Sequence, residues 1–347
     1  MIVWLKVLIL EKMLYIRCSK YLNIYSTMFL IQAFKPQNYF WKYLVGSLII
    51  ILASFLGQLP LTIAIAIKAF TRGGNMPTTN MELYRFMDQN LMLFLLLLSF
   101  VFAFAGIFLV VRYYHRQKFL QVITSRPQLD VKRILFSFTI WAIISAGSTL
   151  VTYFAASENY EVQFNLDKFL ILCLIAVPLI PVQTTVEELV FRGYLMQGFG
   201  ILAKNKWFPL VLTSLVFGCL HMFNPEVEKM GAIVSVYYIG TGLCLGIMTL
   251  MDEGTELAIG FHAANNLTAA LLITSDWSVL QTPAVLKDIT DPSAGLDILL
   301  PIFIIYPVLL FVLAKKYSWS GWKDKLTGEI KPENPNSANP NFTNNEY

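Results

Sequence analysis

Charge is what this 347-residue sequence has least of: Asp, Glu, Lys and Arg together make up 14% of it, against about a quarter in a soluble domain. Histidine is scarcer still, with three in the whole chain. The four cysteines, Cys18, Cys173, Cys219 and Cys244, are scattered and form no CxxC pair, which argues against a disulfide framework and against a thiolate metal site. The last three fall in apolar runs and read as core filling. No HExxH motif is present, which removes the helical zinc-protease signature. No internal repeat is visible, and that weighs against transporter folds built from inverted halves. Apolar Met1–Leu10 is broken by Lys6 and lacks a small-residue cleavage site, so a signal peptide is not indicated. That segment either lies in a membrane interface or precedes a true start at Met28.

What fills the sequence instead is hydrocarbon. Hydrophobic residues reach 56% and the mean hydropathy is +0.60. Runs near or above the roughly 18–20 residues needed to cross a bilayer recur along the chain. They are Tyr43–Ile67, Leu91–Val111, Ile134–Phe154, Phe169–Val186 (running on into more helix), Trp207–Met222, Gly231–Met251, Leu257–Ile273 and Leu296–Ala314. The expected fold is therefore all-α, a polytopic membrane helical bundle of about eight transmembrane helices enclosing a polar cavity. In lipid every backbone polar group must be paired internally, and helices achieve this.

Four regions follow: an N-terminal cytoplasmic or interfacial segment (1–42), two spans and a basic loop (43–133), a core of six spans (134–314), and a cytoplasmic tail (315–347). Lys325–Tyr347 is rich in Asn and Pro and is expected to be disordered. The outside loop Lys68–Asn90, with Gly73, Gly74 and Pro77, reads as irregular. With the N-terminus inside, about 20 of the 26 Lys and Arg residues fall on inner segments, so both termini are expected in the cytoplasm. The net charge of +4 is the same topological signal, and nothing in it points to nucleic acid. Gly242 and Gly246 let a neighbouring helix approach span six closely, and internal packing is the expected use.

Ionisable groups at membrane depth cost about 2.5–3.5 kcal/mol each on insertion scales, so those that remain are functional candidates. Three clusters qualify. Glu187-Glu188…Arg192 reads as EExxxR on a helix. Glu188 and Arg192 are one turn apart and can pair, while Glu187 points about 100° away. One carboxylate is thus neutralised and the other is free to face a cavity as a general base. The plainer reading is an ion pair where span four meets water.

Phe217 precedes His221 by one turn, with Asn224 three residues beyond. A histidine near a helix end is commonly a satisfied interfacial group. His262 and Asn266 share a face in span seven, where they could donate to a developing oxyanion or simply bridge helices. His115, the third histidine, lies in a basic loop and reads as surface. Straight spans would leave Glu187 and His221 about 15 Å apart in depth. A long, tilted fourth helix running to about Phe199, kinked at Pro178 and Pro181, would close that gap.

In this order and in separate helices, the motifs resemble those of the CPBP family of membrane proteases, also called type II CAAX prenyl endopeptidases or Abi proteins. The family pattern is EExxxR, then FxxxH, then HxxxN, and here it is complete; the likeness covers roughly Ile134–Ile273. The resemblance implies that Glu187 is the general base activating a water with help from His221. It implies that His262 and Asn266 stabilise the oxyanion, and that Glu188, Arg192 and Phe217 support the site. Members cleave membrane-associated substrates and are often labelled metalloproteases.

A zinc ion could be built into His221, His262 and Glu187. That would consume the only free base, so a metal-free, glutamate-activated water is the preferred expectation. The implied partners are the lipid bilayer and a membrane-associated peptide or protein, and the implied location is a bacterial cytoplasmic membrane. Two other classes stand beside this one: a non-catalytic immunity or binding protein of the same fold, and a proton-coupled transporter.

Overall fold

A computed structural model describes residues 28–331, except 72, 75, 80, 81, 84, 85, 293 and 294. The expectations for Met1–Leu10 and for the end of the tail lie outside the described residues. The chain forms a helical bundle. Its principal helices are α1 (Phe40–Thr71), α2 (Gln89–Leu109), α3 (Val131–Ala155), α4 (Leu166–Glu188) and α5 (Met196–Ala203). They continue with α6 (Trp207–His221), α7 (Pro225–Met230), α8 (Ile233–Asp252), α9 (Glu256–Leu272), α10 (Tyr306–Tyr317) and α11 (Trp322–Thr327).

Among the described residues five helices are long and apolar enough to cross a membrane: Phe40–Thr71, Gln89–Tyr114, Val131–Ala155, Leu166–Ala203 and Ile233–Asp252. The outer helices display their apolar side chains. Leu44, Leu48, Leu52, Phe55, Leu59 and Ile63 of α1 are all exposed, a stripe that in an integral membrane protein faces lipid. The remaining expected spans are helical without meeting that length. α6 has 15 residues and α9 has 17. The last span is divided into a 3-10 turn, a π-helical turn at Pro301–Ile305 and α10.

Local sequence explains the starts. Asp88 caps α2, Asp130 caps α3 and Asn165 caps α4, each accepting from backbone N–H groups of the first turn, as short polar side chains do at helix N-termini. α4 does not stop at Val186. It passes Pro178 and Pro181, enters a π-helical turn at Leu189–Leu195 and runs on as α5. The whole segment has 38 residues, and Glu187 lies near its middle rather than at an end. The run was expected to continue as a long fourth helix to about Phe199, and the segment reaches Ala203.

α9 is the central helix. Every side chain from Glu256 to Ala264 is buried, with α3, α4 and α8 packed around it. A Cβ at Gly260 would lie 2.1 Å from the Ile134 carbonyl oxygen, so α3 and α9 touch backbone to backbone. Its start is pinned by charge. Arg126 pairs with Glu256 at 3.1 Å and Asp252 at 2.9 Å, and Arg133 reaches Asp252 at 2.5 Å. The Gly242–Gly246 pair packs internally against Ser214 and Leu210 of α6.

Several expectations need correcting. His115 is not surface: it is 1% exposed, with Nδ1 3.1 Å from Asn38 Oδ1 and Nε2 2.8 Å from the Tyr194 hydroxyl. Its basic neighbours suggested solvent, but the chain before α1 folds under the bundle and covers it. Core filling holds for Cys244, which is buried, whereas Cys219 is exposed and Cys173 half-buried. The tail is ordered at least to Lys331. α11 packs against α8 and α6, and Ile330 is 2% exposed, its N–H bonded to the Lys204 carbonyl. A small sheet also decorates the helices. β1 (Tyr160–Val162) pairs antiparallel with β3 (Leu286–Asp288), which pairs parallel with β2 (Ile273–Ser275).

Candidate active site

The three polar motifs converge where α4, α6 and α9 meet. Glu188 and Arg192 are both fully buried and pair at 2.9 Å. The π-helical turn follows Glu188 directly and carries Arg192, a local distortion that recurs at functional sites. Arg192 also donates to the Gly242 carbonyl at 3.3 Å, and its guanidinium lies 4.4 Å from the centre of the Phe217 ring. Phe217 is thereby a shared wall. Its ring centre is 4.3 Å from that of His221 and 6.0 Å from that of His262.

His262 bridges the two glutamates. Its Nδ1 lies 2.7 Å from Glu188 Oε1, while Nε2 is 3.6 Å from Glu187 Oε2. A carboxylate accepts only, so Nδ1 carries the proton that faces Glu188. The 3.6 Å separation is too long for a direct hydrogen bond. Glu187 Oε2 is buried and has no hydrogen-bond partner among the described residues. The other oxygen of Glu187 accepts from Gln183 Nε2 at 2.5 Å. Glu187 thus has one oxygen fixed and one free beside an imidazole.

Asn266 is oriented by amides rather than by His262. Its Nδ2 donates to Gln183 Oε1 at 3.2 Å, and its Oδ1 accepts from Asn265 at 3.1 Å. Asn265 in turn accepts from the Trp141 indole at 3.1 Å. His221 closes α6, with Nδ1 2.7 Å from the Phe217 carbonyl oxygen, which places the proton on Nδ1 and leaves Nε2 as the reactive nitrogen.

Gln183 is the residue that sequence reading missed. It is neutral, so a search for charge passed over it. Its signal was position: it stands one turn before Glu187 on the same helical face.

The profile of the Rce1-like family, type II CAAX prenyl endopeptidases, matches residues 166–268, a stretch containing all seven motif residues from Glu187 to Asn266. A Bacillus subtilis protein, the uncharacterized YyaK, is 30% identical over 250 residues, which are 72% of this chain and 83% of that protein. The chain belongs to the Rce1-like family. No solved structure matches it. Membership supports the fold of a CAAX-type intramembrane protease.

Proposed function

We propose that this protein is an intramembrane endopeptidase that hydrolyses peptide bonds of membrane-associated peptides or proteins. The observation that carries the reading is the unequal state of the two adjacent glutamates. Glu188 Oε1 is engaged by both Arg192 and His262, whereas Glu187 is held by the neutral Gln183 and only faces His262 at 3.6 Å; Oε2 of each glutamate is buried without a hydrogen-bond partner. Neutralising one lets the other act as a base.

In this reading Glu187 Oε2 takes a proton from a water, and the hydroxide attacks the scissile carbonyl. Gln183 holds Oε1, so the attacking geometry is set before substrate arrives. His221 Nε2 helps orient the water. The second N–H of the Asn266 amide can meet the oxyanion, joined by His262 Nε2 when both ring nitrogens carry a proton. The proton held by Glu187 then passes to the leaving amine.

The zinc alternative fits the side chains less well. Glu188 occupies one nitrogen of His262, and Glu187 faces the other. Among the described residues no group of three or more His, Cys, Asp or Glu side chains is arranged to hold a metal ion. The lysine and arginine asymmetry supports both termini inside, and the Bacillus subtilis relative supports a bacterial cytoplasmic membrane. The proton-coupled transporter has less support, since every charged group of the site is paired or oriented within one compact cluster.

The test compares wild type with Glu187→Gln, expressed at matched levels in cells lacking the native protein. New protein termini in the membrane fraction are read by mass spectrometry. Termini that appear with wild type and vanish with Glu187→Gln would identify the substrate, and a chelator would then be applied to its cleavage. Matching profiles, with no candidate peptide cut by the purified protein, would favour the non-catalytic immunity or binding role.

A further inference from the structure

His221 ends its helix, and a terminal residue has no following turn to fix its side chain. Its Nδ1 contact to the Phe217 carbonyl constrains the ring at one edge. A second constraint comes from α8. The Tyr238 ring packs on the imidazole with centroids 4.5 Å apart and planes inclined by 31°. Two hydrogen bonds fix the far end of that tyrosine: Asn224 Nδ2 donates to its hydroxyl at 3.2 Å, and the hydroxyl donates to Glu226 Oε1 at 3.2 Å.

Asn224 closes the circuit. Its backbone N–H bonds to the His221 carbonyl at 3.0 Å, so His221, Asn224 and Tyr238 form a ring of contacts returning to the imidazole. The approach of α8 that permits this depends on Gly218, where a Cβ would lie 2.3 Å from Ile239 Cγ1. None of the three family motifs includes Tyr238, Asn224 or Glu226.

We propose that Tyr238 is a positioning residue for His221: it holds the imidazole so that Nε2 is presented to the attacking water beside Glu187. This inference rests on the proteolytic reading of the site. Tyr238 touches neither water nor substrate in it and acts only through His221. The hydroxyl tether anchors the tyrosine to Asn224 and to Glu226 in the first turn of α7, and the ring transmits that anchorage. Charged and titratable groups near His221 come from elsewhere: Glu187 and Arg192 on the long fourth segment, and His262 on α9. Orientation, not a change of charge, is what Tyr238 supplies.

The experiment uses the full chain in lipid nanodiscs, with the substrate found by comparing termini and with ¹⁵N-histidine labelling. Three histidines give three assignable ring signals. Tyr238→Leu removes the ring, and the expected result is a fall in kcat of about 10–100-fold, the scale of a mispositioned catalytic group, with KM changed less than about twofold. The His221 signal should move while those of His115 and His262 stay. Tyr238→Phe keeps the ring and loses only the hydroxyl tether, so it should restore all but about fivefold of the rate.

An active wild type whose kcat and His221 signal are both unmoved by Tyr238→Leu overturns the proposal. So does a displacement of all three histidine signals, which marks general loss of structure. A wild type without Glu187-dependent cleavage, but with the His221 signal moved selectively, upholds the tether and removes the proteolytic reading.

Discussion

Asn266 Nδ2 donates to Gln183 Oε1 across 3.2 Å, joining the central helix α9 to α4 one turn before Glu187. The same Gln183 donates from Nε2 to Glu187 Oε1. One amide therefore orients both the base and a candidate oxyanion donor, and it uses opposite ends to do so.

Gln183→Leu keeps the approximate volume and removes both contacts. Glu187 then rotates among rotamers, and the half-buried Asn266 amide loses the partner that orients it. We expect kcat to fall about 10–100-fold while expression in the membrane fraction is retained. Cleavage of the substrate by purified protein measures it. An unchanged rate would show that Glu187 is held by something other than Gln183.

The Glu188–Arg192 pair is fully desolvated, which makes its halves unequal to its whole. Arg192→Leu leaves Glu188 buried with only His262 beside it, and such losses cost about 3–5 kcal/mol. The double variant Glu188→Leu with Arg192→Leu strands no charge at this pair. It should be more stable than Arg192→Leu alone, as read by thermal unfolding midpoints in nanodiscs. Strict additivity of the two single losses would mean the residues are uncoupled.

Much of the site was legible because charge at membrane depth is rare. Glu187, His221, His262 and Asn266 each stood out against an apolar background, and their one-turn spacings anticipated the Glu188–Arg192 contact. What escaped reading depends on long-range contact or on backbone geometry. Nothing in Asn38 or Tyr194 announces a bond to His115, from which they stand 77 and 79 residues away. The π-helical turn at Leu189–Leu195 has ordinary helical composition, so the length of the fourth segment was seen only as one way of bringing Glu187 to depth. Strands of three residues are too short to show a two-residue period, and the small sheet left no trace.

Gly260 tests how tightly α9 must sit. It lies two residues before His262, and a Cβ there would meet the Ile134 carbonyl oxygen at 2.1 Å and Ser137 Oγ at 2.2 Å. Backbone on the facing helix cannot yield as a flexible side chain does. Gly260→Ala should therefore push α3 and α9 apart, costing about 1–3 kcal/mol as overpacking does and displacing His262 from both glutamates. Lower thermal stability together with lost cleavage is the expected outcome. A variant as stable as wild type would show that the two helices have slack at this crossing.

His115 gives the fold a pH dependence with a definite sign. Burial, reinforced by the positive charge of Lys42, pushes its pKa down to about 4. The ring is neutral in the folded chain, accepting from Tyr194 at Nε2 and facing Asn38 with Nδ1. An unfolded histidine titrates near 6.5. Below that pH the unfolded chain binds a proton that the folded chain does not, so stability falls as pH drops from about 6.5 toward 4. The slope from this one group is at most about 1.4 kcal/mol per pH unit, and it levels off once the folded form also protonates. Above pH 6.5 the contribution is constant. His115→Gln cannot titrate, so its unfolding midpoint should lose less than that of wild type between pH 7 and pH 4. Parallel curves for the two proteins would mean that the folded chain protonates His115 as readily as water does, and that the contacts to Asn38 and Tyr194 do not keep it neutral.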